Sequence, residues 1–284
     1  RVALRTLGPM TSAPDHATAP DPAERRDEWP RWPLWAPLAA VFFGAGAAIL
    51  VVAVVSGIVK GLGVHVSSKA PGLTAATTAA LDVGVVAAAI GIAALTTRPR
   101  PWQFGLRPAP LRFAVGISFI AVVSFYFFEI AYGIIFNPHN PQKIVDDLGA
   151  NRSTAMLIVG AVVVILVAPV CEELFFRGFL YRILRTRMAL WPAAIVDGVL
   201  FGLVHGSWVI LPILTFLGIL LCWVYERTGS LFATIAIHAL NNTISYGAST
   251  DHGWPVALSI GGLVIAGCMV VPRALPRGPE PVPA

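Results

Sequence analysis

The sequence predicts an all-α, polytopic transmembrane helix bundle of about eight spans, with both termini in the cytoplasm. Three observations carry that expectation. Of 284 residues, 56% are hydrophobic and only 12% are charged, against roughly 25% charged in ordinary soluble domains. The apolar residues gather into eight stretches, each approaching the ~20 residues that a bilayer demands. With the N-terminus placed inside, fifteen Lys and Arg residues fall in cytoplasmic segments and four on the opposite side, the bias that the positive-inside rule requires.

Taken in order, residues 1–32 are rich in Pro, Ala, Asp and Arg and contain no apolar core of a signal peptide. They are expected to form a disordered cytoplasmic segment, with Met10 a candidate start residue. A transmembrane domain follows over 33–272, its spans at about 33–59, 72–96, 113–136, 153–180, 190–206, 209–224, 231–247 and 255–272. No strand-like alternation or regular turn spacing supports a barrel, and the need to satisfy backbone groups in lipid then leaves helices. The connections alternate in charge: Lys60 and Lys69 after the first span, then Arg98, Arg100, Arg107 and Arg112. Lys143 and Arg152 come next, followed by Arg182, Arg185 and Arg187, and later by Arg227 and Arg273. The sixth stretch has 16 residues, the fewest, and contains Pro212. Residues 273–284 form a Pro-rich tail expected to be disordered.

The composition also excludes classes of function. The sequence pI is near 9.4, but the basic residues lie between apolar spans and form no patch with interleaved aromatics, so no nucleic-acid partner is expected. Cys171, Cys222 and Cys268 each sit in an apolar run; they form neither a disulfide framework nor a CxxC metal pair and read as small buried side chains.

Ionisable groups inside spans carry the functional signal, because each costs roughly 2.5–3.5 kcal/mol at mid-bilayer on insertion scales. Asp82 and Glu129 are single acids in spans two and three, where helix–helix glue or a water-lined cavity is favoured over catalysis. Asp197, Phe201 and His205 form an i, i+4, i+8 stripe. A structural role is favoured for Asp197, orienting His205 or meeting Arg182.

The fourth span differs in kind. Seventeen uncharged residues, Thr154 to Val170, lead into Glu172, Glu173 and Arg177. Glu173 and Arg177 are spaced i, i+4 with the acid first, the favoured orientation for an ion pair within a helix. Glu172 points ~100° round the helix from that pair and is left without a partner. A carboxylate so placed has the environment that a general base needs near neutrality. Downstream, "FGLVH" ends at His205, and "HALNN" sets His238 and Asn242 one turn apart. Glu172, His205, His238 and Asn242 thus come from three spans, as a site enclosed by a bundle requires. Measured from a turn near Met188, Glu172 and His205 stand roughly 24–26 Å along their helices at 1.5 Å per residue. Measured from Thr228, His238 stands only about 15 Å along. That mismatch of roughly 10 Å calls for tilt or a protruding hairpin.

The three motifs, Glu172-Glu173-x-x-x-Arg177, Phe201-x-x-x-His205 and His238-x-x-x-Asn242, resemble those of the CAAX-processing and bacteriocin-processing (CPBP, or Abi) intramembrane proteases, of the CAAX prenyl protease 2-like kind. The resembling core runs from about 153 to 270, and the N-terminal half is matched by its spans alone. The resemblance implies an intramembrane endopeptidase that hydrolyses a membrane-associated peptide or protein, lipidated or not, in a bacterial plasma membrane. Carried over, Glu172 and His205 activate water and His238 and Asn242 stabilise the oxyanion. Glu173, Arg177 and Phe201 support the site.

Members of this family are often labelled metalloproteases, and Glu172, His205 and His238 are the candidate ligands should zinc be bound. HExxH is absent and asparagine is a poor zinc ligand, so a metal-free Glu/His mechanism is favoured. Cysteine catalysis by Cys171 is disfavoured by the adjacent acids, which oppose a thiolate. Two other readings stay open: a non-catalytic immunity or scaffold protein of the same fold, and a transporter using buried acids and histidines. The transporter reading lacks the internal repeats usual in that class.

Overall fold

The structure, a computed structural model, describes residues 31–63, 67, 70–96, 98–137, 143–276 and 278. Among them all regular structure is helical, and each of the eight expected stretches is a helix. In chain order these are α1 (Ala36–Gly61), α2 (Pro71–Thr96), α3 (Leu111–Phe136), α4 (Thr154–Arg185), α5 (Leu190–Val204), α6 (Leu211–Thr228), α7 (Leu231–Ser249) and α8 (Trp254–Val270). Six of the eight, all but α5 and α7, are long and apolar enough to cross a membrane, α8 when taken with its continuation to Ala274. At 15 residues α5 is too short for that class. α7 has the length, but His238, Asn241, Asn242 and several hydroxyl residues dilute its apolar character. The chain is a multi-pass membrane protein.

Residues 1–30 and most of the tail lie outside the described residues, as does the candidate start at Met10. Trp32, at the edge of the segment expected to be disordered, is buried, with ring centroids 4.9 Å from Phe104 and 5.0 Å from Phe179. At the other end a 3-10 turn, Val271–Ala274, continues α8. Cys171 and Cys222 are buried as expected, while Cys268 is half-buried.

α4 stands at the centre. α1 and α2 form a hairpin, and α2 packs against α4; α5 pairs with α6, and α7 pairs with α8. Missing side chains set the closest approaches. A Cβ on Gly218 of α6 would stand 2.6 Å from the Cα of Gly198 on α5, and one on Gly44 of α1 would stand 2.5 Å from the Cα of Val85 on α2. Small residues at such crossings let helices pack where no hydrophobic force drives them together.

Contacts between helix ends fix the alternation. At one end, the Leu231 N–H donates to the Gly105 carbonyl, the Ser230 hydroxyl to the Arg107 carbonyl, and the Arg182 Nε to the Tyr225 hydroxyl. Arg185 also pairs with Glu226 there, at 2.7 Å. At the other end, the Tyr132 hydroxyl donates to the Val209 carbonyl and the Asp251 N–H to Asn151 Oδ1. The arginine-bearing connections therefore share one end of the bundle.

α4 is not uniformly α-helical. Two π-helical stretches, Val162–Val167 and Phe176–Tyr181, flank the short α-helical segment Ala168–Phe175 that carries both glutamates. Such stretches inside α-helices recur at functional sites. The first ends two residues before Pro169, which cannot donate a backbone hydrogen bond and whose ring crowds the carbonyl four residues back.

Candidate active site

Arg177 organises the interior of the site. Its Nη1 donates to Glu173 Oε1 at 2.9 Å, its Nη2 donates to the Gly218 carbonyl at 3.1 Å, and its Nε lies 3.6 Å from Asp197 Oδ2. Both pairings lie at 0% side-chain exposure. The guanidinium also stands over the ring of Phe201, 4.6 Å from its centroid. Buried charges persist only when paired in this way, since removing an ion from water costs several kcal/mol unless partners repay it. The expected Glu173–Arg177 pair is present. Asp197, expected to meet His205 or Arg182, meets Arg177 instead and accepts a hydrogen bond from Cys222 Sγ at 3.1 Å. Arg182 is turned towards Tyr225 on α6.

Glu173 carries the network to α7. His238 Nδ1 lies 2.9 Å from Glu173 Oε1, and a carboxylate beside a guanidinium can only accept, so Nδ1 bears the proton. His205 is fixed by the same logic: its Nδ1 stands 2.8 Å from the Phe201 carbonyl, which has no proton to give. Gly206 makes that geometry available. With φ at +67° it ends α5 in the left-handed conformation natural to glycine, and the His205 ring folds back over the last turn.

Both imidazoles are thereby committed through Nδ1, and both turn Nε2 towards Glu172. Its Oε2 lies 3.9 Å from His205 Nε2 and 3.8 Å from His238 Nε2, beyond direct hydrogen-bonding distance, and is buried with no partner of its own. Phe201 is the wall between the rings, its centroid 5.0 Å from that of His205 and 5.5 Å from that of His238. Glu172, His205 and His238 are thus brought together, with Glu173, Arg177 and Phe201 directly behind them. Glu172 and His205 keep side-chain exposures of 20% and 29%, so the site is open on their side and sealed behind.

Asn242 does something that the sequence did not announce. Its Nδ2 donates at 2.8 Å to the carbonyl of Val164, in the first π-helical stretch of α4. Asp82, on α2, has a buried Oδ2 without a hydrogen-bond partner. Cys222, the Gly218 carbonyl and the Val164 carbonyl were missed by sequence reasoning. Cysteine at 222 carried no pattern, and backbone carbonyls leave no trace in a sequence.

Two imidazoles and a carboxylate are chemically suited to zinc. In this arrangement they do not fit it, because among the described residues no three His, Cys, Asp or Glu side chains are grouped so that they could hold one ion.

The depth mismatch has a clear origin. A Cβ on Gly178 of α4 would stand 3.2 Å from Leu231 Cδ1, so α7 begins level with Gly178 and not with Met188. The α4–α5 hairpin extends past the start of α7, and Glu172 and His238 then lie at nearly equal distances from that common level.

Residues 154–244 match the family described as "Type II CAAX prenyl endopeptidase Rce1-like". Two Bacillus subtilis (strain 168) proteins are also similar. "Putative membrane peptidase YdiL" is 25% identical over 142 residues, which is 46% of this chain and 56% of YdiL. "Uncharacterized protein YpbD" is 27% identical over 106 residues, 37% of this chain and 54% of YpbD. The similarity therefore spans just over half the length of each curated relative. No solved structure matches. The matched stretch encloses all three motifs, and the resemblance read from them is borne out: over residues 154–244 this membrane chain is similar to the Rce1-like type II CAAX prenyl endopeptidases.

Proposed function

We propose that the protein is an intramembrane endopeptidase that cleaves a peptide bond of a membrane-associated substrate with a water molecule activated by Glu172 and His205. The observation that carries this reading is the convergence of two imidazole Nε2 atoms, each with its Nδ1 already engaged, on the unpartnered Oε2 of Glu172. A gap of 3.8–3.9 Å between polar atoms suits a bridging water better than a direct bond. The family match at 154–244 supports peptide hydrolysis as the chemistry.

In this mechanism the water gives a proton to the Glu172 carboxylate, with Nε2 of His205 orienting it, while its oxygen attacks the scissile carbonyl carbon. The oxyanion that forms faces His238, which donates from Nε2 when that nitrogen is protonated, and the second N–H of the Asn242 amide. The C–N bond then breaks as the proton on Glu172 passes to the departing amine. General acid–base groups of this type contribute about 10²–10⁴-fold in rate, and an oxyanion donor adds about 10²–10³-fold. The arginine-bearing end of the bundle faces the cytoplasm by the positive-inside rule. The membrane is a bacterial one, a reading supported by the Bacillus subtilis relative described as a putative membrane peptidase. The substrate is a peptide or protein held at the bilayer, and its lipidation is a separate variable of the test. No metal takes part.

Purified protein should cleave a quenched-fluorescence peptide or a member of a membrane-substrate panel, with and without a lipid group. Glu172→Gln and His205→Ala should each lower kcat by at least about 100-fold while thermal unfolding is unchanged. Cleavage that survives Glu172→Gln would sink the mechanism. Metal analysis should find no stoichiometric zinc, and chelators should leave the rate intact; zinc at one per chain with activity lost on chelation would replace the metal-free reading.

A further inference from the structure

The bond from Asn242 to α4 has a cause that lies in Pro169. In the π-helical stretch Val162–Val167 the pattern pairs a carbonyl with the N–H five residues on, as the Val163 carbonyl is paired with Ala168. The partner due to Val164 in that register is residue 169, a proline, which has no N–H to give. That carbonyl is the one that accepts from Asn242 Nδ2, at 2.8 Å. The asparagine amide occupies the place of the missing backbone donor.

We infer that Asn242 is a positioning residue: by replacing the N–H that Pro169 lacks, it holds α4 in its π register and so sets the direction in which Glu172 points. The inference rests on the proposed hydrolytic role of Glu172 but adds a function for Asn242 separate from the oxyanion. The register matters because an inserted residue turns every later side chain by ~100° relative to an unbroken α-helix. Glu172 follows Pro169 by one turn of helix. Without the insertion it would be carried off the face that meets His205 and His238. An unsatisfied carbonyl inside the membrane is also strongly disfavoured, so loss of the asparagine would press the helix to relax. The amide has two hydrogens, and one serves this clamp.

Five proteins test the inference: wild type, Asn242→Ala, Asn242→Asp, Pro169→Ala and the double variant Asn242→Ala with Pro169→Ala. Pro169→Ala restores an N–H at position 169 and makes the clamp dispensable. Asn242→Ala should lower the thermal midpoint and reduce kcat by about 100-fold or more, with KM little changed. The double variant should recover the midpoint and regain about tenfold or more of the lost kcat, the coupling expected of two residues that share one partner. Asn242→Asp, whose carboxylate cannot donate, should resemble Asn242→Ala. A double variant as impaired as Asn242→Ala in both readouts would overturn the clamp. A recovered midpoint with no recovery of kcat, from an active Pro169→Ala protein, would keep the clamp but overturn its part in aiming Glu172. Should Pro169→Ala itself be inactive, the unfolding cycle decides: additive midpoints overturn the inference and coupled midpoints sustain it. Should the wild type cleave nothing, the proposed function fails, and the same unfolding cycle still judges the clamp.

Discussion

α1 turns Phe42, Phe43, Ile49, Leu50 and Val54 outward and buries only Ala36, Pro37, Ala40, Gly44 and Ala48. α6 does the reverse, burying Leu217, Leu221, Cys222, Val224 and Tyr225. In the N-terminal helices the large apolar side chains serve as a surface for lipid, and small ones let neighbouring backbones meet. In α4–α7 the interior is occupied by Glu173, Arg177, Asp197 and His238. Apolar character alone does not separate the two regions, since α4 is as apolar as α1 and yet carries Glu172, Glu173 and Arg177. α5 and α7, which fall short of a spanning helix by length or by composition, supply both histidines. In this membrane protein the helices that fall short of a full span, α5 by length and α7 by composition, are where polar groups have found partners in place of water.

The sharpest way to break this comparison is to strip the interior of its cation. Arg177→Met leaves Glu173 and Asp197 buried with no counter-charge, and removal of one partner from a buried pair costs about 3–5 kcal/mol. The variant should lose most of its folded yield in detergent, measured by monodispersity and thermal unfolding. Arg177→Lys should not restore it, because an ammonium cannot reach Glu173, Asp197 and the Gly218 carbonyl together or spread over the Phe201 ring as a guanidinium does. An Arg177→Met variant of wild-type stability would mean that the acids are neutral without it, and the charge network would need to be redrawn.

Much of this division is legible in the sequence, and the part that is not has a physical reason. All eight helices follow from apolar runs, since a backbone in lipid has little alternative. Glu172 stood out because Glu173 and Arg177 pair by spacing within one helix, which leaves the other acid over. Contacts between helices carry no such mark. Asp197 sat on the predicted stripe with Phe201 and His205, yet its partner is Arg177 on α4, a choice set by how α4 and α5 cross. The π register was hidden for the same reason, because it joins a proline on α4 to an asparagine on α7. Depth counted from turns failed where one hairpin outruns another, and only the contact between Gly178 and Leu231 shows where the levels coincide.

A substitution of intermediate effect tests whether the site depends on how closely α5 and α6 pack. Gly218→Ala would set a methyl group 2.6 Å from the Gly198 Cα, against backbone that cannot yield without moving a helix. Overpacking of this kind costs about 1–3 kcal/mol. The Gly218 carbonyl also accepts from Arg177, so a displaced α6 pulls on the charge network. The thermal midpoint should fall, and kcat should fall with it. A lower midpoint with unchanged kcat would show that the network tolerates movement of α6.

The smallest effect belongs to the outer region and is the control for the rest. Gly46 lies in the middle of α1, and a Cβ built on it meets nothing within 4 Å. Glycine inside a helix is less favourable than alanine by about 0.5–1 kcal/mol, because the unfolded chain is freer. Gly46→Ala should therefore leave the thermal midpoint unchanged or raise it slightly, and cleavage should stay at the wild-type rate. The contrast with Gly218→Ala is the informative quantity: the same added methyl group is harmless where a helix faces outward and damaging where it braces the site. A marked fall in stability at Gly46 would contradict that contrast. It would mean that the outward face of α1 packs against something other than lipid, a second copy of the chain being the simplest occupant, and the outer helices would then share in the architecture of the site.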